Sequence, residues 1–202
     1  MQQLINLIEE LKKSDIKNTI NQRMSEFESV PRNFNALFHE LAFCILTAGT
    51  SAELGIKTIN HLGDKLYYGT LDEIQKKLKE VYRFHTIRAG YLCEARESFK
   101  KINLDSKNVR EELIENIKGL GMKEASHFLR NIGFKDYAIV DFHIVDILVK
   151  HGLIESPKNK SLTVKRYLEI ENILRELADK LKMSLGELDL YLWYAETGKV
   201  LK

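Results

Sequence analysis

Apolar residues recur along this chain at intervals of three and four, and almost nowhere at two. Leu4, Ile5, Ile8 and Leu11 set a first amphipathic helix, and Ile16, Ile20, Met24 and Phe27 a second that begins near Asp15 and ends at Pro31. The stretch Phe34, Leu37, Phe38, Leu41, Phe43, Ile45 and Leu46 is apolar nearly all round, which marks a helix at the centre of a core. A further helix starts after Ser51, runs through Ile56, Ile59 and Leu62 and stops at Gly63. Thr70, Asp72 and Glu73 open the next, with Leu71, Ile74, Leu78 and Val81, and Ile87, Tyr91, Leu92 and Phe99 set another. After a short helix at residues 144–149 and a polar loop around Pro157, Tyr167, Ile170, Ile173, Leu174, Leu177 and Leu181 predict a long one. Ser184 caps a last helix running from Leu185 through Trp193. With no sustained alternation to suggest a strand and only two prolines, the predicted fold class is all-α.

Composition narrows the class. At 202 residues, 44% hydrophobic and 30% charged, the chain can bury a core as one large domain or two small lobes. No apolar run approaches the roughly 20 residues of a membrane span, and the first residues lead into an amphipathic pattern, so no membrane association and a cytoplasmic location are expected. Cys44 and Cys93 lie among apolar or helical neighbours and read as buried free thiols. A formal charge of +2 does not announce a nucleic-acid partner. The basic middle formed by Lys76, Lys77, Lys79, Arg83, Arg88, Lys100 and Lys101 reads as solvated helix faces.

One stretch carries chemistry. Val109, Leu113, Ile114 and Ile117 have helical spacing, as do Ala125, Phe128, Leu129 and Ile132, and between them stands Gly119-Leu120-Gly121-Met122-Lys123. Glycines there permit a tight turn whose N–H groups point outward, an arrangement that suits a phosphate. Lys123 opens a helix, where the macrodipole disfavours a cation and favours the neutral amine that a nucleophile requires. Eighteen residues after Lys123 comes Asp141, in Val140-Asp141-Phe142-His143. Taken singly, Lys123 reads as a solvated lysine, Asp141 as a helix N-cap and His143 as a first-turn residue making local hydrogen bonds.

Together, the helix, the h-x-G-h-G-x-K turn, the second helix and the V-D-x-H resemble the helix-hairpin-helix superfamily of DNA base-excision glycosylases. The hairpin falls at about residues 109–132. Many members carry proline where Lys118 stands, which leaves this turn less rigid and more basic. The resemblance implies a two-lobed helical bundle with its active site in the cleft between lobes, one glycosylase domain over residues 1–202, and Lys123 as nucleophile assisted by Asp141. It implies backbone grip on DNA by Gly119, Gly121 and Lys118. Some members hold an iron-sulfur cluster with four cysteines near the C-terminus, which this tail lacks, so no metal and no cofactor are expected. Residues 47–51, where relatives insert a loop into the duplex, are either that wedge or a plain inter-helix turn.

Small size and the tail YLWYAETGKVLK over residues 191–202 resemble, within the superfamily, the second class of 8-oxoguanine DNA glycosylases, described mainly from archaea and thermophiles. In that class the residues matching Phe84 and Trp193 sandwich the damaged base and the one matching Lys202 contacts it. By periodicity alone Phe84 and Trp193 would be core residues. The implied activity is a bifunctional glycosylase and abasic-site lyase, acting as a monomer on double-stranded DNA that contains a damaged base, through a lysine Schiff base and β-elimination. A non-catalytic hairpin DNA-binding module and a glycosylase for another damaged base are the alternatives.

Overall fold

A computed structural model describes residues 1–157, 159 and 161–201, and among these the chain is helical with no strand. The helices are α1 (Gln2–Leu11), α2 (Ile16–Glu28), α3 (Phe34–Thr47), α4 (Ala52–Leu62), α5 (Lys65–Tyr68), α6 (Leu71–Lys79), α7 (His85–Ser98), α8 (Val109–Asn116), α9 (Met122–Asn131), α10 (Phe142–Lys150), α11 (Val164–Leu181) and α12 (Leu185–Thr197). The all-α expectation holds. The four-residue α5 carries too short a pattern to have been read from periodicity, and Phe99 belongs to a separate 3₁₀ turn, Phe99–Lys101, rather than to α7. Two compact units divide the chain: residues 30–128 form one, and residues 1–29 with 129–202 form the other.

The unit of residues 30–128 is built on α3. From Leu37 to Thr47 all but His39 is buried, as expected of a helix apolar on every side. The Asn33 side chain accepts from Ala36 N at its start, and Ser51 and Thr70 cap α4 and α6 in the same way. Thr70 and Glu73 complete a reciprocal capping box, so two N–H groups without helical partners are satisfied at once. Gly55 lets α4 approach α3 closely, because a β-carbon there would stand 2.4 Å from Thr47 Cγ2 and 3.2 Å from Phe43. Beyond the end of α3 the loop is held from α7: Arg88 Nη2 donates to the Ala48 carbonyl at 2.8 Å. Thr50 Oγ1 adds a bond to the Leu46 carbonyl, also at 2.8 Å.

In the other unit α11 and α12 pack against each other and against α1, while α12 also packs against α2 and α10. An extended, buried segment at residues 138–140 has no helix or strand partner of its own. Its polar groups are met from α11. Tyr167 Oη donates to the Ala138 carbonyl at 2.7 Å and accepts from Val140 N at 3.1 Å, and Glu171 Oε2 accepts from Ala138 N at 3.0 Å. Those bonds offset the desolvation that an unpaired buried amide would suffer. Gly133, at φ +92°, lets the chain turn against α2, since a β-carbon would lie 3.1 Å from Glu28 Cα.

Asp189 on α12 is mostly buried beside Arg130, Oδ2 to Nη1 3.4 Å, and the Arg130 guanidinium lies 4.4 Å from the centre of the Phe27 ring. Burial pushes the Asp189 carboxyl up to about 7, against the pull of Arg130 and with a further rise from the charge of Asp141. Between the ordinary carboxylate range, about 4, and this raised value the folded chain keeps a proton that the unfolded chain has released. The contribution of Asp189 to stability is therefore present at low pH and is lost as pH rises across that window. Asp189→Asn removes the titration, so melting temperatures at pH 5 and pH 8 should shift by a few degrees in favour of the asparagine variant at the higher pH, as about 1–2 kcal/mol does in a domain of this size. Lys182, the C-cap of α11, is exposed and left-handed at φ 54° with no glycine to relieve it. Lys182→Gly should raise stability by about 0.5 kcal/mol, the left-handed penalty of about 1–2 less the entropy glycine adds to the unfolded chain. Lys182→Val should lower it, and thermal melts distinguish the two.

Candidate active site

The hairpin forms where the glycine pattern places it. α8 ends at Asn116, Leu120 N donates back to the Ile117 carbonyl at 3.3 Å, and α9 begins at Met122 with Ala125 N bonded to the Gly121 carbonyl at 3.0 Å. Ile117 and Leu120 are buried and anchor the turn in the core of their unit. Gly119 is required twice over. It stands at φ +90°, and a β-carbon would come within 2.7 Å of the Tyr91 ring and 3.1 Å of Arg88 Nη1, both on α7. Lys118 points outward and pairs with Glu94 at 2.7 Å, and that hydrogen bond holds its ammonium above the ordinary lysine range. The pair is exposed, so a phosphate could replace Glu94 at little cost.

Lys123 is the second residue of α9, with its side chain 30% exposed. Its Nζ lies 3.1 Å from Glu124 Oε1, while Glu124 Oε2 accepts from Gly121 N at 3.3 Å. One carboxylate thus bridges the candidate nucleophile and the hairpin backbone. Sequence reading passed over Glu124, although its position supplied a signal: an acidic residue third in a helix is where a capping box puts one. Phe84 stands at the N-cap of α7, half-buried, with the Arg83 guanidinium 4.3 Å from its ring centre and Tyr82 edge-on at 6.1 Å.

Asp141 caps α10 in the expected manner, accepting at Oδ1 from Ile144 N at 2.9 Å. The Tyr167 and Glu171 bonds to residues 138–140 set the backbone that delivers it. His143 lies in the first turn of α10 as expected, and its ring contacts are with aromatics rather than with local hydrogen-bonding groups. Phe142 lies 4.0 Å away between ring centres, and Trp193 stands edge-on at 4.6 Å. The packing of α10 on α12 brings Trp193 to this helix start, which no sequence spacing reveals. Trp193 is partly exposed, not a fully buried core residue, and its indole N–H is buried with no hydrogen-bond partner among the described residues. Lys202 lies outside the described residues.

Among the described residues no cluster of three or more His, Cys, Asp or Glu side chains is arranged to hold a metal ion, and no helix is long and apolar enough to cross a membrane. Cys44 is buried and Cys93 half-buried, neither in a disulfide, and burial raises the Cys93 thiol above its ordinary range.

Comparison with known proteins agrees along nearly the whole chain. The family model described as 8-oxoguanine DNA glycosylase matches residues 20–183. A relative named 8-oxoguanine DNA glycosylase/AP lyase from Korarchaeum cryptofilum is 48% identical, the match covering 98% of each chain. One of the same name from Methanocaldococcus jannaschii is 47% identical over 98% of this chain and 99% of its own. The crystal structure of the Methanocaldococcus jannaschii 8-oxoguanine glycosylase/lyase in complex with a 15mer DNA containing 8-oxoguanine superposes with a TM-score of 0.93 at 45% identity, covering 99% of this chain and 100% of that one. That of the 8-oxoguanine DNA glycosylase of Thermotoga maritima gives 0.90 at 41%, covering 100% and 99%. By sequence and by fold, this chain belongs to the 8-oxoguanine DNA glycosylase family.

Proposed function

We propose that this protein excises 8-oxoguanine from duplex DNA and cleaves the strand at the resulting site, with Lys123 as the covalent nucleophile. The observation that carries the reading is the amine of Lys123, partly exposed at the start of α9 directly after the Gly119 to Gly121 turn. A base inside a duplex hides its glycosidic carbon, so the nucleotide must first leave the stack. The hairpin turn holds the phosphodiester backbone without reading sequence, with Lys118 beside it. Phe84, Trp193 and Lys202 receive the extruded base.

In the chemical step the Lys123 nitrogen bonds to C1′ as the bond from C1′ to the base breaks, and the base departs with a proton. Asp141 contributes negative charge where positive charge grows on the sugar. Opening of the sugar ring turns the C–N bond into a protonated imine. That imine makes the C2′ hydrogens acidic, and loss of one expels the 3′ phosphate oxygen, which cleaves the strand by β-elimination. Water then hydrolyses the imine and frees Lys123. Glu124, whose carboxylate faces the amine, is placed to accept the proton that Lys123 sheds before attack.

Borohydride reduces the imine and locks the enzyme to DNA. Wild type should be trapped on a duplex carrying 8-oxoguanine, whereas Lys123→Gln should bind that duplex and give no covalent complex; trapping of the glutamine variant at wild-type yield would place the nucleophile elsewhere. Asparagine caps a helix about as well as aspartate but carries no charge. Asp141→Asn should therefore melt within a degree or two of wild type while single-turnover excision falls about 100-fold or more. Near-full excision would reduce Asp141 to a structural cap.

A further inference from the structure

Phe142 is 67% exposed, one of the few large apolar side chains that the described surface leaves open to water. It is the first residue of α10, directly after Asp141. A single exposed aromatic is common on protein surfaces and by itself says little. This one is the outer member of a continuous series of rings. Phe142 leans on His143 with ring centres 4.0 Å apart and planes inclined by 37°, and His143 meets Trp193 at 4.6 Å and 80°. The series thus runs from solvent to Trp193, and its outer residue directly follows Asp141, the candidate catalytic carboxylate, in the chain.

Packing does not explain the exposed ring, since a small or polar residue opens a helix at least as well and would leave no apolar face in water. Neither is it an apolar groove that a protein segment could fill, because His143 and Asp141 flank it. Its shape and chemistry suit a flat, weakly polar face presented beside a phosphodiester backbone. A nucleobase is such a face, and base–aromatic stacking works with any base because each has a π-surface. Excision also creates a demand for it. Extruding one nucleotide removes a stacking partner from each neighbouring base. We infer that Phe142 stacks on a base of the duplex flanking the vacated position, as a DNA-binding residue separate from those that receive the lesion.

The inference rests on the proposed glycosylase reading, and the experiment separates the two. Wild-type protein is mixed with duplexes in which 5-iododeoxyuridine replaces a base on either side of 8-oxoguanine, on either strand. Near-ultraviolet light then joins that base to an aromatic ring stacked on it. Borohydride trapping on the same duplexes reports whether the proposed reaction proceeds. The expected result is a crosslink that mass spectrometry maps to Phe142, lost in Phe142→Ala and retained in Phe142→Tyr. Affinity for a duplex with a stable abasic analogue should fall about 5- to 150-fold in Phe142→Ala and recover in Phe142→Tyr, the range that loss of one base–aromatic stack gives. The melting temperature should not change, because the ring is mostly exposed. Trapping at full yield with no crosslink at Phe142, or with alanine-variant affinity equal to wild type, overturns the inference and leaves the glycosylase reading standing. Absence of trapping in wild type removes the glycosylase reading, and Phe142 as a residue of that reaction falls with it.

Discussion

Every backbone N–H and C=O taken out of water must find a partner, and the two segments that carry the candidate chemistry are those where helices cannot supply one. At residues 138–140 the buried chain is extended and unpaired by any strand. Tyr167 and Glu171, one turn apart on α11, reach across to bond Ala138 and Val140. A polar side chain so deeply buried is costly unless fully bonded, and here the bonds are with the backbone that leads to Asp141. At the hairpin the corresponding solution is a glycine at φ +90°, pressed against Tyr91 and Arg88, with Glu124 accepting from Gly121 N.

Rigid delivery explains how ordinary residues acquire unusual surroundings. Lys123 is not deeply buried, yet its amine is held at the start of a helix by a carboxylate itself bonded to the hairpin. The turn at Gly119 and Gly121 therefore also sets where the amine stands. Arg88 extends this economy within its unit, bonding the Ala48 carbonyl after α3 while packing against Gly119. Aromatic side chains do comparable work around α10. His143, Phe142 and Trp193 form one series in which each ring limits the rotamers of the next.

Much of this was legible in the chain itself. Period 3.6 runs of Leu, Ile and Phe located the long helices, since burying one face imposes that spacing whatever the helix packs against. Asp141 as a cap, Ser51, Thr70 and Ser184 as helix starts, and Gly119 with Gly121 as a turn followed from local rules, which depend on a few adjacent residues. Lys123 and Asp141 at their spacing marked the family, and the comparisons place the chain in it. What sequence could not show is what touches what across long separations. The meeting of His143 with Trp193 required α10 to lie on α12. The support of residues 138–140 by Tyr167 and Glu171 joins positions about thirty apart, for which no periodicity exists. Helix, cap and turn are decided by short-range sterics and hydrogen bonds, so the sequence determined them. Which polar groups satisfy each other in the interior depends on how the helices pack, and only the tertiary structure decided that.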